Sequence, residues 1–152
     1  MSAAMTKKAW AVGLLLAATG CPEPAKHNQF AQLVYDLNVL HTWDPSSKAR
    51  GQYPYDQIMG CPAEMDHSLA AAVTDERPTA IYDRISGRTA LVGDVAFLML
   101  LERLGLKWEA FYKDGVFLST QLPNPVFCLK WDPGARGRVR NRLLALLPPL
   151  EE

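Results

Sequence analysis

Only a few residues of this 152-residue chain have the chemistry that metal binding or hydrolysis requires. The histidines are His27, His41 and His67, and Glu64 lies three positions before His67, a spacing at which two side chains can share a helical face. A zinc site needs three or four ligands in fixed geometry, and the sequence has neither HExxH nor CxxC spacing. It also has no GxSxG sequence and no glycine-rich phosphate loop. We therefore expect no metal, no cofactor and no catalytic set.

The first 21 residues have the order of an export signal. Lys7 and Lys8 precede an apolar stretch at residues 9–18, which has the length of a secretory signal core. The stretch ends in Ala18-Thr19-Gly20-Cys21, in which small residues precede a cysteine. This segment resembles the lipobox of bacterial lipoproteins, although Ala18 stands where leucine is usual. The alternatives are a buried helix that ends at Cys21, and secretion with a free Cys21 thiol.

The resemblance implies that Cys21 receives a diacylglyceryl group and becomes the first residue after residues 1–20 are removed. Acyl chains would then anchor the protein in a membrane. The polar, proline-bearing residues 21–28 are interpreted as an extended tether between the lipid and the fold. In such lipoproteins an aspartate after the cysteine often marks retention in the inner membrane. Pro22 occupies that place here, so the resemblance favours the outer membrane.

The two remaining cysteines, Cys61 and Cys128, are an even pair for an oxidising compartment. We predict a disulfide between them, which in the chain-entropy model would contribute about 4 kcal/mol. The alternative is a pair of buried thiols, because Cys128 lies in the apolar run 126–129.

Four arginines alternate along the predicted last helix: Arg136, Arg138, Arg140 and Arg142. At 100° per residue they form two pairs on nearly opposite sides. Cations near a helix start oppose the helix dipole, so local helix stability does not explain the first of them. One hypothesis is that they bind an anionic partner, such as lipid head groups or an acidic protein. The alternative is that they are solvated and paired with acidic residues.

Composition excludes several classes of protein. With 49% hydrophobic residues the chain is not disordered, and no apolar run reaches the length of a membrane-spanning helix. The 16 basic and 16 acidic residues balance to a net charge of zero, which argues against a dedicated nucleic-acid binder.

Periodicity predicts the first half of the fold. Apolar residues at helical spacing predict helices over residues 30–40 and 62–73. Residues 44–60, with two prolines and two glycines, are interpreted as a loop. In that loop Tyr53 and Tyr55 flank Pro54, and they either line a binding surface or pin the loop to the core. A strand over residues 79–83 precedes a turn at Ser86-Gly87.

The second half centres on residues 95–101, which are apolar on every face and predict a central helix capped by Gly105. Further helical turns follow at residues 108–114, with strands at 116–118 and 126–131. Asp132-Pro133 starts the last helix, whose inner face is predicted to carry Val139, Leu143, Leu146 and Leu147.

We thus expect an α+β, mainly helical domain of about four helices with a small sheet over residues 29–152, after a signal peptide at 1–20 and a tether at 21–28. The predicted protein is a lipid-anchored cell-envelope lipoprotein that acts as a non-catalytic interaction or accessory module. Its partners would be the membrane and an envelope protein. The alternative is a small lipid-anchored hydrolase with a site near the 44–60 loop, close to His41 or His67.

Overall fold

The computed structural model describes residues 24–114, 124–127 and 132–150. These residues fold as a mainly helical α+β structure, which confirms the predicted class. The described α-helices are α1 (Pro24–Tyr35), α2 (Tyr55–Met59), α3 (Met65–Ala72), α4 (Val92–Leu104) and α5 (Pro133–Leu146). The strands are β1 (Pro78–Asp83) and β2 (Arg88–Leu91), and short 3-10 helices cover Asp36–Val39, Trp108–Asp114 and Pro125–Phe127.

The first helix starts earlier than expected. Of the stripe Phe30, Leu33, Val34, Leu37 and Leu40 that predicted this helix, Val34 is half-buried and the other four are buried. Leu37 and Leu40 lie in and just after the 3-10 turn that continues α1. However, α1 begins at Pro24, within the predicted tether. Proline suits the first turn of a helix, where its missing N–H would have no partner in any case. Residues 24–28 are therefore helical rather than extended.

Helix α4 is the centre of the fold. All seven residues of the apolar run 95–101 are buried, as predicted, and so are the three residues before them, Val92, Gly93 and Asp94. The helix ends at Gly105, which takes the left-handed conformation with φ 65°, and the Leu106 N–H bonds back to the Leu101 carbonyl at 2.9 Å. Helix α3 packs against α4 and also contacts α1 and α5, so the helices enclose one hydrophobic core.

Strands β1 and β2 form an antiparallel hairpin. The predicted strand and its turn are confirmed, with Gly87 at φ 68° in the turn. Strand β2 escaped prediction because it has only four residues, of which Ala90 alone is buried.

Two other predicted segments differ from the structure. The 44–60 segment contains α2. The strand predicted at 126–131 is wrong in its described part, because Val126 and Phe127 lie in a 3-10 turn. The side-chain oxygen of Asn124 accepts the Val126 N–H at 3.2 Å, and the backbone carbonyl of Asn124 accepts the Phe127 N–H at 3.2 Å. This polar residue between the two prolines therefore folds the chain into a turn. The strand predicted at 116–118 lies outside the described residues.

Helix α5 starts as predicted. The Asp132 carboxylate accepts the N–H groups of Gly134 at 3.0 Å and Ala135 at 3.1 Å. Val139, Leu143 and Leu147 are buried, but Leu146 is 56% exposed, so its predicted inward position is wrong. Ala135 and Arg136 are buried on this helix as well.

Candidate interaction surface

The two histidines near the proposed hydrolase site lie in separate surroundings. His67 Nε2 is 2.8 Å from the carbonyl oxygen of Pro148, and His41 is exposed. Within the described ranges, neither imidazole bonds to a carboxylate, and no three His, Cys, Asp or Glu side chains group as metal ligands would. Among the described residues, the structure thus brings no carboxylate to His41 or His67 as an acid–base partner.

Of the three cysteines, only Cys61 belongs to the described part of the chain. It is half-buried, and it forms no disulfide with another described residue. Burial raises the pKa of this thiol, against the opposing charge of Arg103. A thiol with a raised pKa is not an activated nucleophile. Cys21 and Cys128 lie outside the described residues, so acylation at Cys21 and the Cys61–Cys128 bridge both stay predictions.

The four arginines of α5 do not share one environment. Arg136 is buried and forms an ion pair with Asp94 of α4, so its predicted contact with an anionic partner is wrong. Arg142 donates to the Ala110 carbonyl at 3.1 Å and lies over the ring of Phe111. Arg138 is exposed, and Arg140 bonds to the side chain of its neighbour Asn141. For Arg138, Arg140 and Arg142 the anionic-partner hypothesis stays a prediction.

Residues 55–62, which precede α3, are held against α4 by two consecutive residues of that helix, Glu102 and Arg103. Glu102 accepts the phenol of the buried Tyr55 at 2.7 Å. Arg103 pairs with Asp66 of α3. Its guanidinium also donates to four backbone carbonyls, those of Ile58, Met59, Cys61 and Pro62. Burial and the bond to Glu102 raise the pKa of Tyr55. Tyr55 therefore pins this segment to the core.

Tyr53, two residues earlier, is not buried in the core: its side chain is 50% exposed. Its phenol donates to the Asp36 carboxylate, which also accepts the Gln32 amide at 2.8 Å. This bond raises the pKa of Tyr53, because Asp36 stabilises the protonated phenol. The aromatic ring thus stays in solvent while its hydroxyl is fixed.

A second exposed ring belongs to the residue next to Asp36 in the chain. Tyr35, which directly precedes Asp36, is 58% exposed, and the guanidinium of Arg77 stacks 4.4 Å from its ring centroid. Arg77 also donates to the Tyr35 carbonyl at 3.2 Å and to the Asp75 carboxylate at 2.7 Å. Val39, on the following 3-10 turn, is half exposed too. We refer to these residues as the tyrosine surface: Tyr35, Asp36, Val39, Tyr53 and Arg77.

The tyrosine surface has the features of a protein-binding site. Tyrosine and arginine are enriched at interfaces, and a ring held in place before binding loses little conformational entropy on binding. The sequence pointed to Tyr53 as one of two alternatives, and it gave no signal for Tyr35 beyond its place off the apolar stripe of α1.

None of the described helices is both long and apolar enough to cross a membrane. Comparisons of the chain with protein-family models, with curated proteins and with solved structures give no match.

Proposed function

We propose that this protein is a lipoprotein of the bacterial cell envelope, anchored through acyl chains on Cys21 and favouring the outer membrane. The observation that carries the proposal is the order of the leader: two lysines, an apolar core, and Ala18-Thr19-Gly20 before Cys21. Several acyl chains give stable anchoring, because each buried CH₂ contributes about 0.8 kcal/mol.

The start of α1 is consistent with a domain held close to the bilayer. Only residues 22 and 23 separate the acylated cysteine from the helix that begins at Pro24. Because an extended residue spans at most about 3.5 Å, the fold would begin within about 10 Å of the lipid.

We further propose that the domain acts as a non-catalytic interaction or accessory module whose partner, an envelope protein, binds the tyrosine surface. Two half-exposed tyrosines, each fixed by a charged neighbour, support this role. Exposed tyrosine rings that are held in place before binding suit recognition of another protein.

The anchor is tested by intact-mass spectrometry of the protein isolated from cells. We expect a chain that begins at Cys21 and carries the mass of the added acyl groups. The variant Cys21→Ser should keep its leader and gain no acyl mass, whereas the matched variant Cys61→Ser should be processed normally. An unprocessed wild-type chain that begins at Met1 and stays in the soluble fraction would overturn the anchor.

The interaction role is tested with a photo-cross-linking residue at Val39, in the tyrosine surface, and at Leu146, an exposed residue of α5. In intact membranes, position 39 should give a discrete cross-linked species, and position 146 should not. The replacements Tyr35→Ala and Tyr53→Ala should each weaken that product. Equal cross-linking from both positions, or a product insensitive to both tyrosines, would contradict this role.

A further inference from the structure

We propose that the tip of the β1–β2 hairpin, residues 84–87, docks on the phospholipid surface, with Ile85 inserted among the outer acyl segments. This inference rests on the proposed lipid anchor and adds a second, non-covalent contact with the same bilayer. Its evidence comes from residues 82–87, none of which belongs to the tyrosine surface.

The first observation is the exposure of Ile85. It is 98% exposed, more than the other large hydrophobic side chains of the described residues. Arg84, Ser86 and Gly87 are exposed as well, so the turn is a convex projection. Transfer of such a fully hydrated isoleucine side chain from water to an apolar environment is favourable.

The second observation is that backbone N–H groups of the tip are hydrogen-bonded within the turn. The Asp83 carboxylate accepts the N–H groups of Ile85 at 3.1 Å and Ser86 at 3.2 Å, and the Asp83 carbonyl accepts that of Gly87 at 2.8 Å. The Ser86 hydroxyl also donates to the Asp83 carboxylate, at 2.6 Å. Three consecutive backbone donors are thus satisfied inside the turn. Entry into the interfacial region would strand none of these three N–H groups, so they add no cost of an unpaired donor.

The third observation is the chemistry of the side chains next to Ile85. Arg84 is exposed, and an arginine at this position can reach lipid phosphates while its stem follows the apolar surface. Tyr82, on the exposed face of β1, is 57% exposed, and tyrosine is enriched at membrane–water interfaces. An aliphatic residue beside an arginine and a tyrosine is a set that fits a lipid surface.

Shape favours lipid over a protein partner. A convex tip with one aliphatic side chain would need a matching pocket in a protein, whereas lipids rearrange around it. A chain of this size has a radius of gyration of about 14 Å, so a domain attached within about 10 Å of the bilayer has much of its surface in reach of lipid.

The test uses the purified, acylated protein reconstituted in vesicles of phosphatidylethanolamine and phosphatidylglycerol. Ile85→Trp is compared with Leu146→Trp, whose parent residue is also exposed. After subtraction of the parent spectrum, the added indole at position 85 should emit at shorter wavelength and be quenched by brominated acyl chains. The indole at position 146 should emit as it does in water. Emission of both indoles as in water, or equal quenching of both, would overturn the proposal.

The mass of the reconstituted protein separates this result from the proposed anchor. If the protein carries no acyl groups, the anchor fails, and the hairpin is then tested by flotation of the non-acylated full chain with the same vesicles. Ile85→Asp should lower its partition by about 10-fold or more, because the transfer of isoleucine is lost, while Leu146→Asp should leave it unchanged. Equal partition of wild type and Ile85→Asp would overturn the hairpin contact.

Discussion

Arg136 of α5 and Asp94 of α4 form an ion pair in which the two side chains are only 2% and 6% exposed. Arg136 also donates to the Val73 carbonyl at 3.2 Å, and the second oxygen of Asp94 accepts the Leu91 N–H at 2.8 Å. One guanidinium thus joins the end of α3, the start of α4 and the start of α5. This contact explains why a cation lies near the start of α5 although it opposes the helix dipole there.

Replacement of Arg136 by methionine should lower the free energy of unfolding by about 3–5 kcal/mol, because Asp94 would be left as a buried charge without its partner. Chemical denaturation at neutral pH measures this. Arg140→Met, which removes only a bond to Asn141 on the same helix, is the matched control and should change stability by less than about 0.5 kcal/mol. Equal effects of the two replacements would contradict the importance of the pair.

The same variant should change the pH dependence of stability. Burial raises the pKa of Asp94 above its ordinary value of 3.8, and Arg136 opposes that rise. Without Arg136 the folded pKa should rise further. A raised folded pKa contributes stability that is complete below 3.8 and is lost as pH rises through the folded value. We therefore expect Arg136→Met to lose stability from acidic to neutral pH more steeply than wild type, and parallel profiles would contradict this.

Gly93 should not tolerate a side chain. A Cβ at this position would lie 2.4 Å from the Val73 carbonyl oxygen and 2.9 Å from both Arg136 Nη1 and the Asp75 carbonyl oxygen. Since two of these atoms belong to the backbone, Gly93→Ala should cost about 1–3 kcal/mol or more. In α5, a Cβ at Gly137 would meet nothing within 4 Å, so Gly137→Ala should instead add about 0.5–1 kcal/mol. Thermal unfolding should show a lower midpoint temperature for Gly93→Ala and a higher one for Gly137→Ala. A Gly93→Ala protein that is more stable than wild type would contradict the close contact at Gly93.

Arg103 should be needed for its planar, five-donor shape as well as its charge. Lysine keeps the charge but cannot bind Asp66 and the carbonyls from α2 to the start of α3 together. Arg103→Lys should therefore cost about 1.5–3 kcal/mol, the range for bonds to a charged group. Arg50→Lys, at an exposed arginine 3.9 Å from Glu102, should cost less than about 1 kcal/mol. Urea denaturation of both variants decides the matter, and a neutral Arg103→Lys would show that charge alone suffices.

Asp44 should stay ionised as the pH falls to about 2, well below the ordinary value of 3.8. Its carboxylate accepts hydrogen bonds from Ser46 and Ser47, which lower its pKa to about 2. A depressed folded pKa contributes stability that is present above the ordinary value of 3.8 and is lost as pH falls through about 2. NMR titration of the Asp44 carboxyl carbon should give this midpoint. In the Ser46→Ala variant the midpoint should move toward 3.8, and an unchanged midpoint would rule out the hydroxyl as a cause.

The sequence by itself determined most of the helical framework. Apolar spacing located the buried faces of α1 and α3, and the uninterrupted apolar run marked α4 as the centre, because such a helix has no face to offer to water. Asp132 and Gly105 marked a helix start and a helix end through local chemistry, since each contact that they make lies within a few residues.

Tertiary structure alone decided which of the polar and aromatic residues are buried and which are exposed. Periodicity gives Arg136 and Arg140 one side of α5, yet Asp94, 42 residues earlier, draws only Arg136 into the core. Tyr53 and Tyr55 are alike in sequence, but Glu102 lies where it can accept the phenol of Tyr55, while Tyr53 meets Asp36 at the surface. The difference is physical: burial of an apolar residue depends on average surroundings that a pattern reports, whereas a charge or a hydroxyl is placed by one partner atom that only the folded chain brings near.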